Sequence, residues 1–125
     1  MAKKEVFAYP SKHVSLSVLS GSALLKLAGM VTMAQNYGKL SLLRQPSKRR
    51  ESFFPAGTRT MEKEITLTGN ETFSYALLPS EVLIVELRSL VASEPCRITI
   101  SADGTKKVYT TKENDLIGLI FSVWN

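Results

Sequence analysis

The chain has 125 residues, a formal net charge of +5 and 44% hydrophobic residues, which fits one folded domain with a single core. This composition excludes wholesale disorder, and the longest apolar runs are far shorter than the roughly 20 residues of a membrane-spanning helix. The single cysteine, Cys96, excludes an internal disulfide and a zinc ribbon.

The charges are distributed unevenly along the chain. Residues 1–50 contain nine Lys or Arg and one acid, whereas residues 51–125 contain seven basic and ten acidic residues. This asymmetry predicts a basic surface that meets nucleic acid, an acidic protein face or the acidic part of a neighbouring copy.

Residues 1–12 are predicted to form a flexible arm, because they are polar, charged and without periodicity. They lack a secretory pattern, so we expect a cytoplasmic origin. Residues 13–125 are predicted to form one β-sandwich domain. The alternation of Val14, Leu16 and Val18 with serines predicts its first strand.

Residues 23–36 fit either a helix or a strand. On a helix, the apolar stripe would consist of Leu24, Leu27, either Met30 or Val31, and Ala34. Gly29 opposes a helix by about 1 kcal/mol relative to Ala, and residues 30–33 suit a strand equally well. We therefore expect at most one helix in the protein, at this position.

A basic segment follows, with a strand predicted at residues 39–43. The residues predicted to bind an anionic partner are Lys39, Arg44, Lys48, Arg49 and Arg50. Phe53 and Phe54 come next, and cations beside aromatic rings are typical of proteins that bind single-stranded nucleic acid. The alternative is a solvated loop whose two rings enter the core.

From residue 62 onward, short apolar runs alternate with turn signals. Gly69-Asn70 predicts a turn between the runs that contain Leu67 and Phe73. A three-residue loop would place both side chains on one face of a hairpin; otherwise the two strands belong to different sheets.

Three later segments define the rest of the fold. Residues 82–87 are apolar on both faces, which predicts a central strand. Asp103-Gly104 predicts a type I′ hairpin between strands at residues 97–101 and 107–110. Residues 116–124 predict a terminal strand that its own sheets or another subunit must cover. The pattern of seven to eight short strands predicts an all-β, mainly antiparallel sandwich with a jelly-roll-like arrangement.

The sequence contains no recognisable catalytic, metal or cofactor motif. His13, the only histidine, lies in an acid-free segment with no carboxylate nearby to orient it. Glu62 with Glu64, and Glu113 with Asp115, are carboxylates two residues apart, which project side by side from a strand rather than across a cleft. No Gly-rich phosphate loop occurs. We therefore expect no enzyme activity, no cofactor and no metal.

A β-sandwich without catalytic groups predicts a structural or assembly protein. We expect a homo-oligomeric subunit, such as a capsid, decoration or tail component of a virion, whose partners are itself and other assembly subunits. The predicted subunit interface contains Phe121, Val123 and Trp124, because Trp is enriched at the centres of interfaces. No membrane partner is expected.

Two other functions fit the same residues. The alternative is a nucleic-acid-binding module that uses residues 39–50 with Phe53 and Phe54. A third is binding of a carbohydrate or small ligand by aromatic side chains such as Trp124 or Tyr75. Tyr109 belongs to this last group too, although core packing explains each of the three rings.

Overall fold

The computed structural model describes residues 4–31, 60–91, 93–112 and 115–122, and these residues form nine strands without a helix. The strands are β1 (Lys4–Pro10), β2 (His13–Ser20), β3 (Ala23–Val31), β4 (Met61–Leu67), β5 (Thr72–Ala76), β6 (Glu81–Ser89), β7 (Cys96–Ala102), β8 (Thr105–Thr111) and β9 (Leu116–Ser122). The all-β prediction is confirmed, with one strand more than the seven to eight expected. The strand predicted at residues 39–43 lies outside the described residues.

The strands form two sheets packed face to face. The five-stranded sheet has the order β1-β9-β6-β3-β4, and the four-stranded sheet has the order β5-β2-β7-β8. Every neighbouring pair is antiparallel except β1 and β9, which are parallel. Among β2 to β9, the neighbours β9 and β6, β6 and β3, and β5 and β2 are three strands apart in sequence, and β2 and β7 are five apart. Each sheet also has one consecutive pair at an edge, β3 with β4 and β7 with β8. Two packed, mainly antiparallel sheets make this fold a β-sandwich.

The main core lies between the two sheets. Alternate residues of each strand point into it, as the period of two requires. Its fully buried side chains include Leu16, Leu25, Leu27, Leu83, Leu87, Ile98, Ile100, Leu119 and Phe121.

A second, smaller cluster lies on the opposite face of the five-stranded sheet. It contains Met30, Val82, Ile84 and Ile120. Strands β6 and β9 are thus buried on both faces, and every residue of β9 is buried. The prediction of a central strand at residues 82–87 is confirmed, since β6 is the middle strand of its sheet.

The helix expected within residues 23–36 is wrong over Ala23–Val31, which is strand β3; residues 32–36 lie outside the described residues. Leu25 and Leu27 point into the main core, while Met30 belongs to the second cluster. A strand buried on both faces has apolar residues at nearly every position, and such a run also contains the spacing of a helical stripe.

The expected arm at residues 1–12 contains strand β1, which pairs with β9. Phe7 and Tyr9 pack against the main core, and Val6 and Ala8 against the second cluster. The alternation covers only the four residues from Val6 to Tyr9, and charged residues lie beside them. A strand is therefore hard to recognise here from the sequence.

The two turn predictions have different outcomes. Strands β4 and β5 flank Gly69-Asn70 but belong to different sheets, so the hairpin is wrong and the alternative is confirmed. At Asp103-Gly104 the hairpin is confirmed: Ala102 pairs with Thr105, and both turn residues have positive φ, 45° and 90°.

Candidate functional site

Most residues of the predicted sites lie outside the described part of the chain. This applies to the anionic-partner residues Lys39, Arg44, Lys48, Arg49 and Arg50, to Phe53 and Phe54, and to Val123 and Trp124. Phe121 is described and is fully buried in the main core of its own chain. Its ring stacks on that of Tyr9, with the two ring centroids 5.7 Å apart. Its side chain is therefore part of the core of its own chain.

The described sandwich is electrically neutral. Its residues include nine Lys or Arg and nine Asp or Glu, so the net charge of +5 resides in the rest of the chain. Any electrostatic function of the sandwich therefore depends on how its charges are segregated over the surface, and not on their sum.

One flank of the sandwich contains a buried carboxylate. The Glu81 side chain accepts hydrogen bonds from the Thr60 hydroxyl at 2.6 Å, the Tyr75 hydroxyl at 2.6 Å and the Leu78 backbone N–H at 2.8 Å. Glu81 is only 1% exposed, and a carboxylate in that position requires such donors. Because Tyr75 belongs to β5 and Glu81 to β6, the cluster joins the two sheets.

The Tyr75 hydroxyl should make stability pH-dependent in alkaline solution. Burial, and next the hydrogen bond to Glu81, raise the pKa of Tyr75 to about 12. Since the folded-state pKa lies above the unfolded value near 10, this stabilisation is complete below about pH 10 and is lost between about pH 10 and 12. We expect the free energy of unfolding, measured by urea denaturation, to fall less steeply over this range in Tyr75→Phe. Parallel curves for both proteins would contradict this assignment.

The opposite flank is closed by aromatic side chains. The Tyr9 and Tyr109 hydroxyls are hydrogen-bonded to each other, and the Phe7 and Tyr109 rings lie 5.0 Å apart. Burial, and then the bond to Tyr9, raise the pKa of Tyr109. These contacts join β1 to β8, so β1 and β8 lie on one flank, and β5 lies with Thr60 and Glu81 on the other.

A third polar cluster lies inside the sandwich. The Thr111 hydroxyl is 2.9 Å from the Ser89 hydroxyl and 3.0 Å from the Cys96 thiol. All three side chains are buried, so the thiol packs as a small core group. Like the Glu81 cluster, this one connects strands to each other.

The corner between β1 and β2 is fixed by Asp103. Its carboxylate accepts the backbone N–H of Lys12 at 2.7 Å and of His13 at 3.1 Å, and these bonds lower the pKa of Asp103. Both carboxylate oxygens are thus used by the backbone. The aspartate nearest to His13 is therefore engaged in holding this corner together.

The exposed surface of the four-stranded sheet is rich in hydroxyl groups. We call it the hydroxyl face and define it by twelve outward positions, which leave out Leu19 and Ser20 at the irregular end of β2. The twelve positions are His13, Ser15, Ser17, Thr72, Ser74, Ala76, Arg97, Thr99, Ser101, Lys106, Val108 and Thr110. Seven of these twelve residues are Ser or Thr, and none is acidic. Their period of two in four strands was visible in the sequence, but the pairing that gathers them was not.

Neighbouring strands of the hydroxyl face are linked through side chains. The Ser17 and Thr72 hydroxyls are 2.9 Å apart, and those of Ser15 and Ser74 are 3.3 Å apart. A depression of about 310 Å³, lined in part by Ser15, Ser74 and His13, lies at one end. The face is thus a broad array of short side chains, oriented in part by their own hydrogen bonds.

Two exposed edge strands carry opposite charges. Strand β4 presents Glu62 and Glu64 on its outer side. Strand β8 carries Lys106 on its outer side and Lys107 on its core-facing side. All four residues are exposed. Because β8 lies on the β1 flank, and β4 is the other edge of the five-stranded sheet, these edges are on opposite flanks.

The described residues contain no group of three or more His, Cys, Asp or Glu placed to hold a metal ion. Within the same part of the chain there is no helix with the length and apolar character needed to cross a membrane. Comparison with known proteins found no family model, no curated protein and no solved structure that matches this chain.

Proposed function

We propose that the protein is a non-enzymatic assembly subunit, a homo-oligomeric β-sandwich such as a capsid, decoration or tail component of a virion. The observation that supports this proposal is the opposite charge of edge strands β4 and β8. An edge strand has unpaired backbone N–H and C=O groups, with which a strand of another chain can pair. The virion setting is an analogy at the level of the fold.

The charges on the edges favour one pairing over two others. Two β8 edges would bring Lys106 and Lys107 against the same lysines of a second copy, and two β4 edges would do the same with glutamates. Pairing β4 with β8 instead places opposite charges across the contact. Repulsion between like edges and attraction between unlike edges together provide specificity.

A contact between two different edges of the same chain is heterologous. Each subunit then uses β4 toward one neighbour and β8 toward the other, which produces a ring if the rotation closes and a filament if it does not. Lys63 lies on the core-facing side of β4, as Lys107 does on β8. Registers that place these two lysines opposite each other are disfavoured.

Light scattering after size-exclusion chromatography tests this proposal. At tens of micromolar protein and 50 mM salt we expect a discrete oligomer or a polymer, which weakens at 500 mM salt because exposed charges are screened. Both K106E/K107E and E62K/E64K should be monomers. Exposed charges contribute little to stability, so their melting temperatures should stay within a few degrees of the wild type.

An equal mixture of the two variants is the decisive control. Each variant has two edges of the same sign and cannot pair with itself, but each edge of one variant is complementary to an edge of the other. The mixture should therefore assemble as an alternating oligomer. A monomeric wild type at low salt, variants that assemble normally, or a mixture that stays monomeric would each show that these edges are not the contact.

A further inference from the structure

We propose that the hydroxyl face binds the phosphate backbone of double-stranded nucleic acid without sequence preference. This goes beyond self-assembly, and it uses residues other than the basic segment 39–50. The inference rests on the chemistry of the side chains on the face, on their charge and on the absence of exposed aromatic rings there.

The hydroxyl pairs can donate hydrogen bonds to phosphate. The two hydroxyls of a pair hold two O–H donors, and the bond between them uses one. Ser17 with Thr72, and Ser15 with Ser74, therefore each retain a donor for a phosphate oxygen. Ser and Thr hydroxyls are common phosphate ligands in protein–DNA complexes.

The charges of the face suit a polyanion. Arg97 and Lys106 are exposed on it, and no acidic residue occupies any of its twelve positions. The carboxylates at its margins are engaged by the backbone: Asp103 accepts the N–H groups of Lys12 and His13, and Glu71 accepts that of Thr68. Asp103 and Glu71 stay ionised because these bonds lower their pKa, so the cationic surface is limited to the twelve positions, where Arg97 and Lys106 are the only formal charges.

The lack of rings determines which nucleic acid fits. Proteins that bind single strands stack the bases on aromatic side chains. The aromatic residues of this sheet, Phe73, Tyr75 and Tyr109, pack against the main core instead. Bases that stay stacked in a duplex need no such platform. With strands about 4.8 Å apart, the face is about 14 Å wide, which matches about four base-pair steps.

The experiment measures binding of the full chain to a fluorescent 20-base-pair duplex of arbitrary sequence by anisotropy. If Arg97 and Lys106 each contact one phosphate, the affinity contributed by this face should fall about tenfold between 50 and 200 mM salt. We expect R97A/K106A to bind about tenfold more weakly at 50 mM salt and to lose that part of the salt dependence. The variant S17A/T72A, which removes both hydroxyls of one pair, should bind about threefold more weakly with an unchanged salt dependence.

Matched controls separate the face from net charge and from the basic segment. K26A/K63A removes the same charge from the five-stranded sheet and should bind the duplex with at least half of the wild-type affinity. Far-UV circular dichroism and melting temperature show that each variant is folded. If R97A/K106A weakens binding no more than K26A/K63A does, the proposal is wrong.

Three other outcomes also overturn the proposal. One is a wild type that binds no duplex at 20 mM salt. Another is a wild type that prefers single strands and loses binding only in K48A/R49A/R50A. The third is a sulfated polysaccharide that binds this face more tightly than the duplex does, which would identify a different polyanion as its partner.

Discussion

Replacing Phe121 with alanine is expected to lower the free energy of unfolding by about 3–5 kcal/mol. The Phe121 ring is fully buried in the main core and stacks on Tyr9, so its removal leaves a cavity and an unsupported neighbour. For a chain of this size the melting temperature should fall by about 12–20 °C. Thermal and urea denaturation measure both quantities.

This result also decides between two roles for the residue. At a subunit interface, Phe121→Ala would dissociate an oligomer and leave the folding of the chain largely intact. In the core, it destabilises the monomer itself. Val108→Ala is a suitable control, because Val108 lies on edge strand β8 and is 49% exposed; it should change the free energy of unfolding by less than about 0.5 kcal/mol. A stable, folded Phe121→Ala monomer would argue for the interface.

The sequence was informative where structure is determined locally. The alternation through Val14, Leu16 and Val18 reports one buried face and one exposed face, and β2 has both. Asp103-Gly104 fixes its hairpin through the positive φ of both residues, which depends on nothing distant. The segment at residues 82–87, which is apolar at every position except Glu86, indicated burial on both faces without reference to any partner strand.

The sequence was misleading where the structure of a segment depends on the distant residues that pair with it or cover it. Burial on both faces makes the alternation of Ala23–Val31 hard to see, so a helix fitted equally well. The pairing of β1 with β9 joins residues more than 100 positions apart, and no local pattern encodes it. At Gly69-Asn70 the turn was recognisable, but the sheet to which each strand belongs is set by packing.

The two candidate surfaces were also only partly predictable from the sequence. The serines and threonines of the hydroxyl face are visible at alternate positions, as at Ser15 and Ser17, but the face exists only because β2 pairs with both β5 and β7. The charges of β4 and β8 are visible too, whereas their places at the edges of two sheets are not. Residue types can be read from single segments, but surfaces depend on strand order.

Gly29 is the position at which a single added methyl group should be most costly. A Cβ there would lie 2.5 Å from a Glu81 carboxylate oxygen, 2.5 Å from the Thr60 hydroxyl and 3.2 Å from the Met61 Cγ. Glycine inside a strand is otherwise unfavourable by about 0.5–1 kcal/mol relative to alanine, and Gly29 is not among the glycines with positive φ. We nevertheless expect Gly29→Ala to lower the free energy of unfolding by about 2–3 kcal/mol, because the methyl group displaces the carboxylate from its donors.

Two comparisons assign that loss to the Glu81 cluster. Gly69→Ala meets no atom within 4 Å and should leave stability unchanged or raise it by up to about 1 kcal/mol. Glu81→Ala alone should cost about 3 kcal/mol, because it leaves the Leu78 N–H and the Tyr75 hydroxyl without their acceptor. In Glu81→Ala the carboxylate is already absent, so adding Gly29→Ala should cost at least 1 kcal/mol less than it does in the wild type. Strict additivity of the two losses in urea denaturation would mean that Gly29 is required for a reason other than its approach to Glu81.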